Sequence, residues 1–436
     1  MRMARHERVA LAPYWWDAAP RDLASDPALA SVDVAVVGSG YTGLSAALRL
    51  AENGVSVAVI DAGPLAAGAS SRNFGLLGRQ LIPGFAELID KLGKERAVAL
   101  YGLCNSAFAH VNGLIDRLGI DCDRKPVGRF VACATPRQLE AQKREHGLRA
   151  DLLGHGCRVV EKADLASEFG SPLYHGGVVV PEHLTLHPGK FSAGLVRAVR
   201  AAGATLTGRL RVTEVEPVVG GFRLRCGGQE VAARDVVIAT NGYTGGLVPE
   251  LRRRIVPLRA YMIATGPLPP EAIAAALPRG RAFHDTAHDM IYGNRSPCGT
   301  RLLFGGATGE GHDDLARVGE RLRARLLRVF PHLPRDLTLG HVWTGQCGGT
   351  FDHLPHRGRA GALHYAMGYN FGAGMPLGTY LGDSLGRRLL GEAIDLPLDA
   401  FPMPTRPLYR GRPWFLPAYL AWGRLRDRLD GSRVAA

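Results

Sequence analysis

Four residues near the start of the chain have types and a spacing suited to binding a pyrophosphate. Gly38, Gly40 and Gly43 form the pattern G-x-G-x-x-G, and the acidic residue Asp61 follows them. Glycine at these places permits a tight turn, a close approach of backbone N–H groups to phosphate, and close packing of a helix on a strand. The Asp61 carboxylate accepts hydrogen bonds from ribose hydroxyls. This set predicts dinucleotide binding, and the acid argues against a 2′-phosphate.

The elements that must hold these residues are predicted as a strand, a helix and a second strand. Residues 32–37 and 55–60 are apolar runs typical of buried parallel strands, and the second run ends on Asp61. The helix between them carries its apolar face on Leu44, Ala47, Leu48 and Ala51. Its N-terminus favours an anion through unpaired N–H groups and the helix dipole. A purely structural glycine loop is the alternative, and the motif alone leaves NAD and FAD open.

Length and composition indicate a globular protein with two domains. The chain has 436 residues, of which 46% are hydrophobic and 21% charged, enough for two sizeable cores. It has no uncharged apolar run of about 18 residues and no apolar core behind its basic N-terminal residues, so we expect no transmembrane segment and no secretory signal. Seven scattered cysteines without C-x-x-C pairs argue against a metal site or disulfides and favour a cytoplasmic location.

The net charge of +13 comes almost entirely from arginine, since the chain has only six lysines. The arginines are dispersed, and no aromatic RNA-binding motif accompanies them, so we expect no nucleic-acid partner. Attraction of anionic substrates and cofactor phosphates is one interpretation. A solvated basic surface is the interpretation that we favour.

Later segments predict a nucleotide-binding domain that is interrupted by a second domain. Residues 186–244 contain a helix at 189–202 and an apolar strand at 235–239 that would extend the first parallel sheet. Residues 84–118 have helical periodicity, with possible breaks at Gly93 and Gly102. The predicted fold class is α/β, with an α+β part for the substrate. The predicted division is a nucleotide domain at 30–80, 181–250 and 341–395, a substrate domain at 81–180 and 251–340, and a C-terminal tail at 396–436.

Several segments, in this order, resemble one family. They include VGSGYTGLSAALRLAENGVSVAVIDA, GASSRNFG, LHPGKFSAGLVRAVRAAGA, VVIATNGYTGGL, WTGQCGGTFDHLPHRG and MGYNFGAGMPLGTYLGDSL. They resemble the D-amino-acid-oxidase-like FAD-dependent oxidoreductases, which include glycine oxidase, sarcosine oxidase and gamma-glutamylputrescine oxidoreductase. The segment GASSRNFG, the early aromatics and the C-terminal tail are most similar to the last branch. The resemblance implies a Rossmann-like FAD-binding domain with an interleaved mixed-sheet substrate-binding domain.

The resemblance also implies that FAD is the cofactor, and the position of Cys347 leads us to expect that it is bound non-covalently. The residues that match the family's FAD-binding motifs are Gly38, Ser39, Gly40, Gly43, Asp61, Ser70, Arg72, Asn73, Gly75, Val212, Thr240, Asn241, Gly368, Asn370, Gly372 and Gly374. Phe371 and Ala373 depart from the family pattern G-Y-x-G-H-G. Cys347 lies about two residues out of register with the cysteine that holds the flavin in the sarcosine-oxidase branch, so we expect it to be a free thiol.

By resemblance, the reaction is the oxidation of a C–N bond in an amine or amino acid. Hydride passes to flavin N5, and the resulting imine hydrolyses to a carbonyl product. Tyr292 and Arg295 match the strand that lines the family's pocket and are the predicted catalytic contacts, with the arginine suited to a carboxylate. An FAD-dependent 2-hydroxy-acid dehydrogenase and a flavin-binding protein with little oxidase activity are the alternatives.

The electron acceptor is left open, as O2 or another molecule. In the sarcosine-oxidase branch a lysine near the flavin promotes the reaction with O2, because a fixed positive charge stabilises the reduced oxygen species. Leu303 stands at that position here, and no lysine follows Lys190. Arg295 and His341 are the candidates to replace it.

Overall fold

The computed structural model describes residues 9–21, 23–306, 314–370 and 374–431. The strands are β1 (Ser31–Val37), β2 (Val57–Ile60), β3 (Leu76–Leu77), β4 (Arg129–Cys133), β5 (Arg158–Val160), β6 (Gly176–Val180), β7 (Leu184–Thr185), β8 (Thr205–Thr207), β9 (Val212–Val218), β10 (Gly221–Cys226), β11 (Gln229–Ile238), β12 (Val256–Thr265), β13 (Ala282–Asp285), β14 (Tyr292–Arg295), β15 (Leu302–Gly306), β16 (Leu339–Gly349), β17 (His356–Ala360) and β18 (Leu363–Met367). The α-helices are α1 (Trp15–Ala18), α2 (Tyr41–Ala51), α3 (Phe85–Leu92), α4 (Lys94–Arg117), α5 (Pro136–Leu153), α6 (Pro188–Ala201), α7 (Pro249–Arg252), α8 (Pro270–Ala276), α9 (Leu315–Val329), α10 (Gly374–Leu389) and α11 (Leu416–Leu429).

The first large sheet, which we call the nucleotide sheet, contains the predicted strand–helix–strand unit. Its order is β17-β18-β11-β1-β2-β8, and the β9–β10 hairpin continues from β11. β1 is parallel to both β2 and β11, so the strand predicted at 235–239 does extend the parallel sheet. The β9–β10 hairpin is antiparallel, and its β10 strand also pairs antiparallel with β11. Its alternation of buried and exposed residues is the pattern of a strand with one face in solvent.

The second large sheet, which we call the substrate sheet, has the order β16-β12-β15-β14-β13-β4-β6-β5. It is mixed, because β13 runs parallel to β4 while β4–β6 and β12–β15 are antiparallel. The α/β class with a mixed second sheet is therefore confirmed. The position of β16 differs from the predicted domain division, which assigned residues 341–395 to the nucleotide domain. β16 instead pairs with β12 over its whole length.

The helical region predicted at 84–118 is divided into α3 and α4. The break is at Gly93, whose φ of 84° ends α3, while Gly102 lies within α4. By length and a mean hydropathy of 1.2, α4 is apolar enough to cross a membrane. Its buried residues, among them Leu100, Cys104 and Val111, belong to the core shared with α2 and α10, as in the core helix of a globular protein.

Candidate active site

One cavity of about 1180 Å³ extends along both large sheets. This volume exceeds the range of roughly 300–1,000 Å³ usual for small-molecule pockets. The nucleotide sheet contributes the ends of β1, β2 and β11, and the substrate sheet contributes residues of β4, β12, β13, β14 and β16. The cavity therefore has room for a large cofactor and a substrate in contact with each other.

The G-x-G-x-x-G motif forms the turn from β1 into α2, as predicted. Gly38 has a φ of 109°, which side chains rarely tolerate. A Cβ on Gly43 would lie 1.9 Å from the Gly38 carbonyl oxygen, so the helix can pack on the turn only with glycine there. Gly43 itself does not line the cavity, whereas Gly40 and Thr42 do. The N-terminus of α2 therefore opens onto the cavity, where its unpaired N–H groups favour an anion.

Asp61 lies on the cavity wall, held by two hydrogen bonds from one residue. The Ser39 N–H and hydroxyl both donate to Oδ2, at 2.8 and 2.6 Å, and the Gly63 N–H donates to Oδ1 at 2.9 Å. Ser39 is fully buried and does not line the cavity. Its role is to orient Asp61, which keeps a free acceptor site for a ribose hydroxyl.

The segment 69–75 folds back on the N-terminus of α2. The Tyr41 N–H donates to Ser70 Oγ at 3.0 Å, and Asn73 Nδ2 donates to the Ser70 carbonyl at 2.9 Å. Ser70, Arg72 and Asn73 line the cavity. Gly75 does not, and a Cβ there would lie 2.3 Å from the Leu186 carbonyl oxygen. Gly75 therefore supports the segment by close packing.

Arg72 is a fixed cation in the cavity wall. Its Nε donates to the Ala67 carbonyl at 2.6 Å and its Nη1 to the Thr344 carbonyl at 3.0 Å. Its guanidinium lies 4.4 Å from the centre of the Trp16 ring. Burial lowers the pKa of Arg72. These contacts fix the orientation of the group and leave its charge without a carboxylate partner among the described residues.

Two asparagines hold the backbone after β18: Asn241 links it to the end of β11, and Asn370 links it to the segment before β17. Asn241 Oδ1 accepts from the Gly368 N–H at 2.9 Å, and Asn370 Nδ2 donates to the carbonyls of His353 and Gly368 at 2.7 and 2.9 Å. Their side chains therefore hold the backbone of the cavity wall in place. Of the remaining predicted FAD residues, Val212, Thr240 and Gly374 line the cavity and Gly368 does not. Gly372, with Phe371 and Ala373, lies outside the described residues.

A row of side chains crosses the substrate sheet and forms the opposite wall. The strand registers align Val131 with His284, His284 with Tyr292, Tyr292 with Gly305 and Gly305 with Met262. A Cβ on Gly305 would lie 2.3 Å from the Tyr292 ring, so this glycine makes room for the ring. Tyr292 also packs on Phe74, with ring centres 5.1 Å apart. The predicted contact Tyr292 thus lies where the two halves of the cavity meet.

Comparison with known proteins identifies the family. A family model described as FAD dependent oxidoreductase matches residues 33–388. This chain belongs to that family. It is 32% identical over 413 residues to gamma-glutamylputrescine oxidoreductase of Escherichia coli (strain K12), covering 91% of this chain and 93% of the relative. It is 31% identical over 411 residues to the probable oxidoreductase OrdL of Rhizobium meliloti (strain 1021), covering 92% and 94%.

Solved structures agree with the fold of this FAD-dependent oxidoreductase. The crystal structure of glycine oxidase from Geobacillus kaustophilus superposes with a TM-score of 0.74 at 21% identity, covering 87% of this chain and all of that one. The cofactor is FAD. The open N-terminus of α2, the oriented Asp61 carboxylate and the volume of the cavity fit its pyrophosphate, ribose and ring system.

Cys347 of this FAD-dependent oxidoreductase lines the cavity. Burial raises the pKa of its thiol to about 11, so it is a protonated thiol at neutral pH. A protonated thiol is a poor nucleophile. This agrees with the expectation that FAD is bound non-covalently.

Of the two predicted catalytic contacts, Tyr292 lies at the cavity and Arg295 does not. Arg295 is three residues after Tyr292 on the same strand, and side chains alternate between the faces of a strand. Arg295 therefore points to the opposite face, where it is exposed and lies beside Gly280. The structure does not bring it to the cavity.

Sequence reasoning missed a group of basic residues that line the cavity beyond His284. They are Arg129 on β4, and His146 and Arg149 on α5. The available signal was Arg129 itself, a charged residue within the apolar strand RFVAC. Nothing in the local sequence shows that α5 places Arg149 beside it.

The two other positions considered for oxygen chemistry are not part of the cavity wall. Leu303 is buried with Trp15, Met262 and Trp343, and His341 is held by Asp17 and by the Ala12 carbonyl, at 3.0 and 3.2 Å. Neither lines the cavity.

Proposed function

We propose that the protein oxidises a C–N bond in an amine or amino acid. Bound FAD would supply the hydride acceptor, flavin N5, for the carbon that bears the nitrogen, and the imine product would hydrolyse in water to a carbonyl compound. The observation that carries the proposal is the single cavity that joins the FAD-binding residues to the row Val131, His284, Tyr292 and Met262. The name of the Escherichia coli relative, gamma-glutamylputrescine oxidoreductase, supports an amine as the substrate.

The chain's own residues position the substrate and exclude water from it. The Tyr292 and Phe74 rings form an apolar wall at the junction of the two halves, which holds the reacting carbon in a fixed orientation. The proposed division places the cofactor against the nucleotide sheet and the substrate against the substrate sheet. The reacting atoms would then meet at this junction.

The cavity favours an amine in its neutral form. Among the described residues, the carboxylates that line it are Asp61 and Glu145, and both accept hydrogen bonds from backbone N–H groups. Burial lowers the pKa of His284 well below its usual range, so its ring is neutral. An ammonium group would enter without a counter-ion at Tyr292. We therefore expect kcat/KM to rise with pH as the substrate amine loses its proton.

The proposal is tested by anaerobic reduction of the FAD-loaded protein with a panel of substrates. Polyamines, γ-glutamylated amines, D-amino acids and N-methyl amino acids are mixed with the protein, and loss of the flavin absorbance is followed. We expect at least one of these classes to bleach the flavin, with a carbonyl product formed in equal amount. Bleaching by 2-hydroxy acids alone, or by no compound, would overturn the proposal.

A further inference from the structure

A buried guanidinium without a partner lies at the substrate end of the cavity. Arg129 is 3% exposed and lines the cavity. Its Nε and Nη1 atoms are buried and have no hydrogen-bond partner in the described part of the chain. A buried cation without a counter-ion is strongly unfavourable. An anion that entered the cavity would relieve this cost.

The nearby carboxylates are already engaged elsewhere. Both oxygens of Glu145 accept backbone N–H groups at the start of α3, from Phe85 at 2.9 Å and from Ala86 at 2.8 Å. Glu182 forms an ion pair with Arg79. Neither of them forms an ion pair with Arg129, so the protein itself does not neutralise this charge within the described residues.

The surroundings of Arg129 add positive charge. The Nη2 of Arg149 donates to the Arg79 carbonyl at 2.8 Å, while its Nε is buried without a partner. Burial, with the charge of Arg149, lowers the pKa of Arg129 to about 9, so the group remains protonated at neutral pH. Burial and the same arginines lower the pKa of His146 to about 2, which keeps that ring neutral. The positive charge of this end of the cavity therefore comes from the arginines, and it is opposed by the negative charge of Glu145.

The strand registers give the separation of Arg129 from the junction at Tyr292. Arg129 precedes Val131 by two residues on β4, and Val131 is aligned with Tyr292 through His284. Tyr292 thus lies two strands across, roughly 10 Å, and the two residues add about 7 Å along the strand. These are separations between Cα positions, and side chains on one face of a sheet stand roughly parallel to one another. A carboxylate directly attached to a carbon held at Tyr292 would therefore not reach Arg129.

We propose that Arg129 and Arg149 bind a carboxylate at the far end of the substrate. Its class is then a linear amine with the carboxylate several bonds from the C–N bond that is oxidised. This inference rests on the proposed function for the position of the reacting end. Guanidinium groups bind carboxylates through paired N–H donors. Nε and Nη1 of Arg129 and Nε of Arg149 have no partner among the described residues and would supply these donors.

The first experiment compares substrates that differ only at the far end. The FAD-loaded protein is reduced anaerobically with linear ω-amino carboxylates, from γ-aminobutyrate to ω-aminodecanoate, and with the alkylamines of the same lengths. We expect the best amino carboxylate to exceed its matching alkylamine in the second-order rate of flavin reduction by roughly 10- to 100-fold. γ-Aminobutyrate should be a poor substrate. Equal rates for both series, or a preference for the shortest carboxylate, would overturn the inference.

The second experiment assigns the preference to Arg129. Arg129→Gln should abolish the advantage of the carboxylate, whereas Arg137→Gln, which removes an exposed arginine from the same helix as Arg149, should preserve it. Arg129→Gln should also leave the thermal midpoint of the ligand-free protein unchanged or raised, because it removes an unpaired buried charge. A lowered midpoint with an unchanged carboxylate preference would show a purely structural role and would overturn the inference.

A third measurement separates this inference from the proposed function. Octanoate has the carboxylate but no nitrogen, and its binding to the FAD-loaded protein is measured by calorimetry. We expect binding to the unmodified protein that weakens by roughly 10- to 100-fold in Arg129→Gln. If no amine reduces the flavin but octanoate binds in this way, only the proposed function fails. If amines reduce the flavin but octanoate binding does not depend on Arg129, only the carboxylate site fails.

Discussion

At the scale of single residues, we expect the ring of Tyr292 to contribute more to orienting the substrate than its hydroxyl does. The hydroxyl donates to the Tyr261 carbonyl at 3.4 Å, a long and weak hydrogen bond, whereas the ring forms the wall opposite Phe74. We expect Tyr292→Phe to retain kcat/KM within about threefold, and Tyr292→Ala to lower it by roughly 10- to 100-fold through loss of substrate orientation. Steady-state kinetics of the two variants, with FAD affinity as the control, check this. A large loss in Tyr292→Phe would instead assign a chemical role to the hydroxyl.

Substitution of Arg295 tests whether side chains alternate between the two faces of β14 as described. Because its side chain is exposed on the face away from the cavity, Arg295→Gln should change kcat and KM by no more than about twofold, as for other surface substitutions. The same assay applied to Arg129→Gln provides the contrast. A rise in KM of about tenfold in Arg295→Gln would show instead that Arg295 contacts the substrate.

The difference between these residues shows what the sequence can predict. The glycine motif and Asp61 belong to one continuous strand–helix–strand unit, so their spacing in the sequence was sufficient to predict their place in the site. Tyr292 and Arg295 lie three positions apart, an odd number, so they cannot share one face of a strand. Both residues were predicted from the resemblance to the family, which does not take this alternation into account. Arg129 and Arg149 come together only through the packing of α5 beside β4, which no local pattern specifies.

At the scale of elements, the packing of α10 on α2 fixes the phosphate end of the site. A Cβ on Gly382 of α10 would lie 2.2 Å from the Thr42 carbonyl oxygen, and Thr42 lines the cavity. Gly382→Ala should therefore force the two helices apart, lower the free energy of unfolding by about 1–3 kcal/mol and weaken FAD binding. Thermal unfolding and FAD titration measure both effects.

The matched control for this change is Gly113→Ala. Gly113 is exposed within α4, and its added Cβ meets no atom within 4 Å. Alanine is the better helix former, so this variant should be more stable by about 0.5–1 kcal/mol with unchanged FAD affinity. Equal effects of the two substitutions would contradict the packing argument.

The two sheets differ in how far the sequence predicted them. The strand–helix–strand unit and the parallel pairing of β11 follow from short apolar runs and were predicted. The place of β16 in the substrate sheet was not predicted, because its pairing with β12 joins segments that are separated in the chain by α8, β13, β14, β15 and α9. Such long-range pairings depend on tertiary packing and leave no periodic signal in one strand.

At the scale of the whole molecule, the cavity couples cofactor binding to stability. It is lined by both sheets, so FAD binds the folded chain and not the unfolded one. We expect the thermal midpoint to rise with free FAD, by an equivalent of about 2.7 kcal/mol at a hundredfold excess over Kd. Acid precipitation should release all flavin into the supernatant, since the Cys347 thiol is protonated. Flavin that remained with the precipitated protein would contradict non-covalent binding.

The central claim, oxidation of a C–N bond in this cavity, is tested most directly by an isotope effect. The FAD-loaded protein is mixed anaerobically with its best amine substrate, either unlabelled or deuterated at the carbon that bears the nitrogen, and the rate of flavin reduction is recorded in a single turnover. The account predicts slower reduction of the flavin by the deuterated amine and release of the corresponding carbonyl compound. Reduction without the carbonyl product, or with deuterium retained at that carbon, would contradict it.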